Sequence, residues 1–303
     1  MALIPHKACI LGFGLQTAKD ALATSAWRFP IHEAEDLNYQ KNYSFFQYSD
    51  GNYNQAHYYS EGEGIEGTIT MPLIPGFTAG DFGTWIWGRE GTYNQGYWAT
   101  IWRDTGHESE TYVNCKVASG SMALDYGALS TIRLNVVGIE PPIQSAGAFG
   151  GTRLTNQPYL FQEAGISLAT DGGALSAEVY TRNHTLEFDN MLETPADMGM
   201  LDAGVTPPEL PNSAKAQWTG SLDRFFADTS IYDDFVAGTE GEYRAILQRA
   251  AVATCTLYFP RIVWTEAPLN IPNSGVLKQE GINFRALGSV DGLTDAFALN
   301  ETV

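Results

Sequence analysis

Gly12-Phe13-Gly14, following the apolar run Ala8-Cys9-Ile10-Leu11, has the pattern that opens a dinucleotide-binding turn. Such a turn also needs a third small residue for close helix–strand packing and a helix N-terminus at the pyrophosphate. Position 17 is Thr and no parallel βαβ series follows, so the match stays partial. His32-Glu33-Ala34-Glu35-Asp36 gathers metal-ligand types but lacks the second His of a zinc helix. In a strand, neighbouring side chains point to opposite faces, so this run reads as a solvated acidic edge. Cys9, Cys115 and Cys255 are widely spaced and odd in number, which suits buried or free thiols better than a metal site or a disulfide framework, and weakly suggests a reducing place of synthesis. His6, His57, His107 and His184 are scattered, and no Ser or Cys stands in a nucleophile motif. Asn42-Tyr43-Ser44, Asn183-His184-Thr185 and Asn300-Glu301-Thr302 are formal glycosylation sequons, inert without a secretory signal. The expectation is a protein with no catalytic, metal or cofactor residues.

The aromatics offer a different chemistry. Trp85, Trp87, Trp98 and Trp102 lie close in sequence, and Tyr39, Tyr43, Tyr48, Tyr53, Tyr58 and Tyr59 crowd another stretch. Rows of this kind build a sugar platform, or a core and subunit interface, where Tyr and Trp are enriched. The second reading is favoured. The 303 residues carry 17 basic and 35 acidic side chains, a net charge of −18. That balance argues against gripping nucleic acid through Lys and Arg. No stretch is long and apolar enough to span a bilayer, so no membrane insertion is expected, and Met1 to Leu15 lacks the pattern of a secretory signal.

The elements that must position these residues are mostly strands. Trp98 to Arg103, Tyr112 to Ser119, Ser130 to Val137, Thr254 to Val263 and Gly281 to Leu287 show period-two patterning between Gly and Pro breaks. Two short helices are expected. Asp81 would cap the first, with Phe82, Trp85 and Ile86 on one face and Gly88 as its stop. Ser230 would cap the second, with Asp233 at the third position, Ile231 and Phe235 on one face and Gly238 as its stop. Glu240 to Arg249 is a third helical possibility. Each helix follows a strand (Gly67 to Thr70, Gly220 to Leu222) and precedes long strands ending at Gly138 and Gly288, both 50 positions past the helix stop. The matched order suggests a tandem duplication. Its units would be 1–140, a Pro/Gly-rich linker or extended crossing segment at 141–158, and 159–303. A second Pro-rich loop runs from Ala203 to Pro211.

This order of elements resembles the tail tube protein (major tail protein) family of long-tailed bacteriophages. The run Ala8 to Thr17 resembles the family's opening "G-x-G-x-x-T" arm, and Glu66 to Leu73 its strand before the helix. Val113 to Val117 resembles the strand after the helix, Val179 to Asn190 a strand of a second tube domain, and Thr256 to Pro260 a late "L-x-I-x-x-P" pattern. The resemblance implies a mainly β fold, two tandem β-barrel or sandwich domains each with one short flanking helix. It implies rings, trimeric and pseudo-sixfold rather than hexameric, stacked into a tube in the virion after synthesis in the host cytoplasm. Double-stranded DNA would pass through the lumen without specific binding, and the tape measure, tail terminator and distal tail proteins would be the other partners. A non-contractile tail fits this reading. Gly12, Phe13, Gly14, Leu15 and Thr17, in a mobile arm from Met1 to about Ser25, are expected to contact the next ring. So are Tyr48, Tyr53, Tyr58 and Tyr59, in a loop running to Gly64. Acidic residues are expected to dominate the lumen, without individual assignments. Alternatives are a tail hub, distal tail or terminator protein of the same fold, a carbohydrate-binding β-sandwich, and last an enzyme.

Overall fold

The structure is a computed structural model. It describes residues 10–24, 26–29, 34–46, 57–75, 80–87, 96–106, 108–125, 127–145, 149–153, 157–160, 164–169, 173–178, 180–192, 216–249, 253–269, 277–288 and 298–302. In chain order its first strands are β1 (Ile10–Leu15), β2 (Trp27–Arg28), β3 (Ala34–Glu35), β4 (Asn38–Phe46), β5 (His57–Pro72), β6 (Ala99–Asp104), β7 (Ser109–Asp125), β8 (Thr131–Gly138) and β9 (Ile143–Ser145). There follow β10 (Thr152–Arg153), β11 (Ala164–Ala169), β12 (Ser176–Ala177), β13 (Thr181–Asp189), β14 (Gln217–Phe225), β15 (Glu240–Arg249), β16 (Ala253–Glu266), β17 (Lys278–Ala286) and β18 (Ala298–Thr302). Helix α1 (Gly80–Trp87) lies between β5 and β6, and α2 (Ser230–Ala237) between β14 and β15. The fold is mainly β.

One pairing scheme occurs twice. Antiparallel ladders β1–β6, β4–β5, β5–β8, β6–β7, β7–β8 and β7–β9 recur as β11–β15, β13–β14, β14–β17, β15–β16, β16–β17 and β16–β18. The irregularities recur as well. The β6–β7 ladder shifts between Ala99 and Ile101, and β15–β16 between Gly241 and Tyr243. The β7–β8 ladder shifts between Val117 and Ser119, and β16–β17 between Trp264 and Glu266. In all four the extra residue is on β7 or β16, the position where a β-bulge bends a strand. These registers match Gly67 with Gly220, Val136 with Phe284 and Gly138 with Ala286. The counterpart of Gly138 is therefore two residues short of Gly288, the position the glycine spacing suggested.

The core follows from the alternation. Ile69, Leu134, Met122, Leu186, Trp218, Ile282 and Phe284 turn inward, and one cluster of buried side chains runs from Leu11 to Ala286. Helix α1 buries Phe82, Trp85 and Ile86 as expected; Phe82 meets Phe13 edge-on at 5.4 Å, and the Trp85 indole donates to the Cys115 carbonyl at 3.1 Å.

Several expectations are corrected. Glu240–Arg249 is a strand, because Tyr243, Ala245 and Leu247 are buried at period two. The N-cap of α2 is Thr229, its inward side chains are Ile231 and Asp234, and Phe235 faces out. Gly238 does end α2, at φ 67° in the left-handed region where a side chain would be strained. Strands β9 and β10 lie within 141–158, and Phe149 is buried with its ring stacked on Trp102 at 4.9 Å.

Candidate assembly interface

The two sets of strands meet along one ladder. After Cys115 β7 leaves β6, and on that edge it pairs with β13, from Ser119 opposite Asp189 to Asp125 opposite Asn183. Gly120 permits the approach: a Cβ there would lie 2.6 Å from both the Phe188 ring and the Arg133 carbonyl. Phe188 packs on Trp218 at 5.0 Å, and Trp87, from the end of α1, packs on both at 6.2 and 6.1 Å. Asn190 completes the joint. Its side-chain amide donates to the carbonyls of Ile86 (3.0 Å) and Val117 (2.8 Å), and its backbone N–H to the carbonyl of Ala118 (2.7 Å), the extra residue of the β7 bulge.

The first set has half of a second such joint, and the second set reaches the point where its other half would begin. Among the described residues β3 and β4 hydrogen-bond to β5 alone, whereas their counterpart β13 bonds to both β14 and β7. At the other end, the register makes Glu266 of β16 the counterpart of Ser119, where β7 takes up β13. Exposed strand edges of this kind template pairing with another chain.

The outer face of the joined sheet is largely polar, interrupted by Ala123 and by Val137, which packs with Ile139, Trp98, Ala118 and Leu192. From β5 through β8, β7 and β13 to β14 it presents Thr68, Asn135, Ser119, Asp189 and Gln217 in one cross-strand row. The next row presents Thr70, Arg133, Ser121, Glu187, Thr219 and Arg285. A shallow groove of about 480 Å³ follows the joint between Ser119, Arg133, Glu187 and Gln217. Asp36, Glu66, Asp125, Asp223 and Glu266 extend the face, so among its described residues acids outnumber the two arginines. Asp36 accepts from the backbone N–H and the hydroxyl of Thr68, which holds its carboxyl below the usual range and keeps it charged.

Behind this face lies His184, whose place in the core its scattered sequence position did not indicate. It is buried in β13; the Tyr243 hydroxyl donates to Nε2 at 2.6 Å, and Nδ1–H donates to the Ser221 carbonyl at 2.9 Å. Burial pushes its pKa down to about 4, so the ring is neutral.

Most sequence candidates serve the fold. Gly12, Phe13, Gly14 and Leu15 belong to β1, paired with β2 and β6, and Phe13 is fully buried. This stretch is a core strand and not a mobile arm; only Thr17, past its end, is exposed. Gly12 gives room to Phe149, whose ring would lie 2.2 Å from a Cβ there. Tyr48 and Tyr53 lie outside the described residues. Tyr58 and Tyr59 belong to β5, opposite Phe45 and Ser44, so the expected loop is a hairpin strand from His57 onward. His32 and Glu33 lie outside the described residues, and Glu35 is no solvated edge: it pairs with Arg103 at 2.9 Å with its side chain 10% exposed. The tryptophans are engaged: Trp85 is buried, Trp87 sits in the joint, Trp102 stacks on Phe149, and Trp98 lies 4.1 Å under the Lys116 ammonium. Among the described residues no group of three His, Cys, Asp or Glu could hold a metal ion, and no helix is long and apolar enough to cross a membrane.

A family profile described as phage tail tube protein matches residues 49–283, a span that runs through both sets of strands. No curated protein matches the chain.

Proposed function

The chain belongs to the phage tail tube protein family, a structural component of the virion tail, and from that membership we propose that copies of it close into rings by repeating between chains the joint that β7 and β13 make within one. The observation that carries this reading is the complementary pair of edges. β3–β4 offers the edge that β13 offers, and Glu266, the last residue of β16, stands where the β7–β13 ladder begins at Ser119. A joint that uses two different patches generates a ring when the rotation closes. With two sets of strands per chain, three chains supply six, so the ring is a pseudo-sixfold trimer. In this reading 1–140 and 159–303 are the tandem units, joined by the crossing segment at 141–158.

The polar face lines the lumen, and the rings stack into the tube that carries double-stranded DNA. Lys and Arg on such a wall would hold phosphates by releasing counterions. Here Glu187 and Asp189 line the same groove as Arg133, and Arg285 is tied to Gln217 at 2.8 Å, so the wall repels more than it binds. The tape measure, terminator and distal tail proteins are its other partners, and it performs no catalysis. Negative-stain electron microscopy of the purified chain tests the reading. Rings or tubes with an open channel are expected; a protein that stays monomeric at every concentration, with or without a tail initiator, would contradict it.

A further inference from the structure

Helix α2 carries an apolar stripe on its outer side. Tyr232, Phe235 and Val236 are 36%, 37% and 66% exposed, at the i, i+3, i+4 spacing that puts them on one face. The first set shows what covers the equivalent helix. The C-terminal end of α1 is closed over by the strands beyond the joint, with Trp87 against Phe188 and Trp218 and the Ile86 carbonyl bonded to Asn190. Helix α2 occupies the same place in the second set, between the counterparts of β5 and β6. Within the chain its packing is against β16, and nothing described lies over the stripe.

The occupant follows from the register. Phe188 pairs with Trp218 as Tyr39 pairs with Ile65, and Asn190 therefore corresponds to Lys41. Phe188, which the end of α1 covers, is buried, whereas Tyr39 is only half-buried and Lys41 is exposed. We propose that the Tyr232–Phe235–Val236 stripe is the side-chain half of the joint between chains, covered by Tyr39 and Lys41 of a second copy in the same ring. The inference rests on the ring reading and adds to it a surface that backbone pairing alone does not require. Burying the stripe takes apolar area from water, which supplies the driving force that hydrogen-bonded edges, already satisfied by water in the free chain, do not.

Two variants test it against the wild-type chain. Val236→Glu alters an exposed residue, so the thermal midpoint should stay at the wild-type value while the concentration needed for assembly rises at least roughly tenfold, as for loss of an apolar anchor at an interface. The second variant combines Lys41→Cys and Val236→Cys in a Cys9→Ser background. Under mild oxidation it should give disulfide-linked chains whose ladder stops at the number in one ring. Unchanged assembly of Val236→Glu, or absence of the cross-link in assembled material, would overturn the proposal and leave the ring reading standing. A ladder that continues past one ring would overturn it in favour of contact between rings. If the wild-type chain itself never assembles, the ring reading fails first, and the docking surface with it.

Discussion

At the scale of single residues, the polar groups in the core are placed to hold strands in register. His184 is neutral in the fold and titrates near 4, against about 6.5 in an unfolded chain. Between those values the unfolded state binds more protons than the folded one. Stability from this group is therefore complete above pH 6.5 and is lost as the pH falls toward 4, by about 3 kcal/mol. Denaturant midpoints measured across that window should fall more steeply for the wild type than for His184→Asn; equal slopes would remove the assignment. Asn114 is the second such residue. It sits in the β7 bulge at φ 57°, and its side chain bonds Gln16, the Asp20 backbone and both the Asp20 and Glu140 carboxyls. Asn114→Ala should cost about 3 kcal/mol in equilibrium unfolding, and Asn114→Gly should recover about 1 kcal/mol of it by relieving the backbone. Neither residue was legible in the sequence, because each gains its role from partners 26 to 98 positions away. The Glu35 misreading has the same source: the pattern showed a run of acids, and only the fold brings Arg103 to it.

At the scale of elements, strands were read well where alternation is clean, as in β17, and α1 was read from three apolar residues on one face. The failures are instructive. The β1 strand falls in the stretch that the resemblance reads as a mobile arm, yet it pairs with β6, and Gly12 makes room there for Phe149. It follows that a truncation removing residues 2–20 deletes a core strand, so circular dichroism should show an unfolded or aggregated product where a true arm would leave a folded one. The β15 strand was open to a helical reading because Ile246 beside Leu247 blurs its alternation, and ladders with β11 and β16 decide between the two. Gly120 bears on the joint directly. Gly120→Val would drive a side chain into Phe188 and the Arg133 carbonyl and should destabilise the chain by about 1–3 kcal/mol. The same substitution on the outer face at Ser121 should be near neutral, since Val is well suited to a strand.

At the scale of the whole molecule, the duplication was half legible. The glycine spacing pointed to a repeat, and the ladders and bulges that occur twice put the counterpart of Gly138 two residues away from Gly288. The joint between the sets was invisible to pattern reasoning, because it pairs strands about 60 positions apart whose alternation serves a lone sheet equally well. The acidic wall proposed for the lumen would be a property of the assembly. Glu187→Lys with Asp189→Lys should convert assembled tubes from passing over duplex DNA to retaining it at low salt, with retention falling steeply as salt is added. Retention by the wild-type tubes would place the polar face elsewhere.

The central claim is that the joint inside one chain is repeated between chains until a ring closes. The mass of the smallest closed assembly, measured by native mass spectrometry on wild-type protein, tests it most directly. Three chains are expected, with no stable species between the single chain and the closed ring. Six chains in the smallest ring, or an open series with no closed member, would contradict the account.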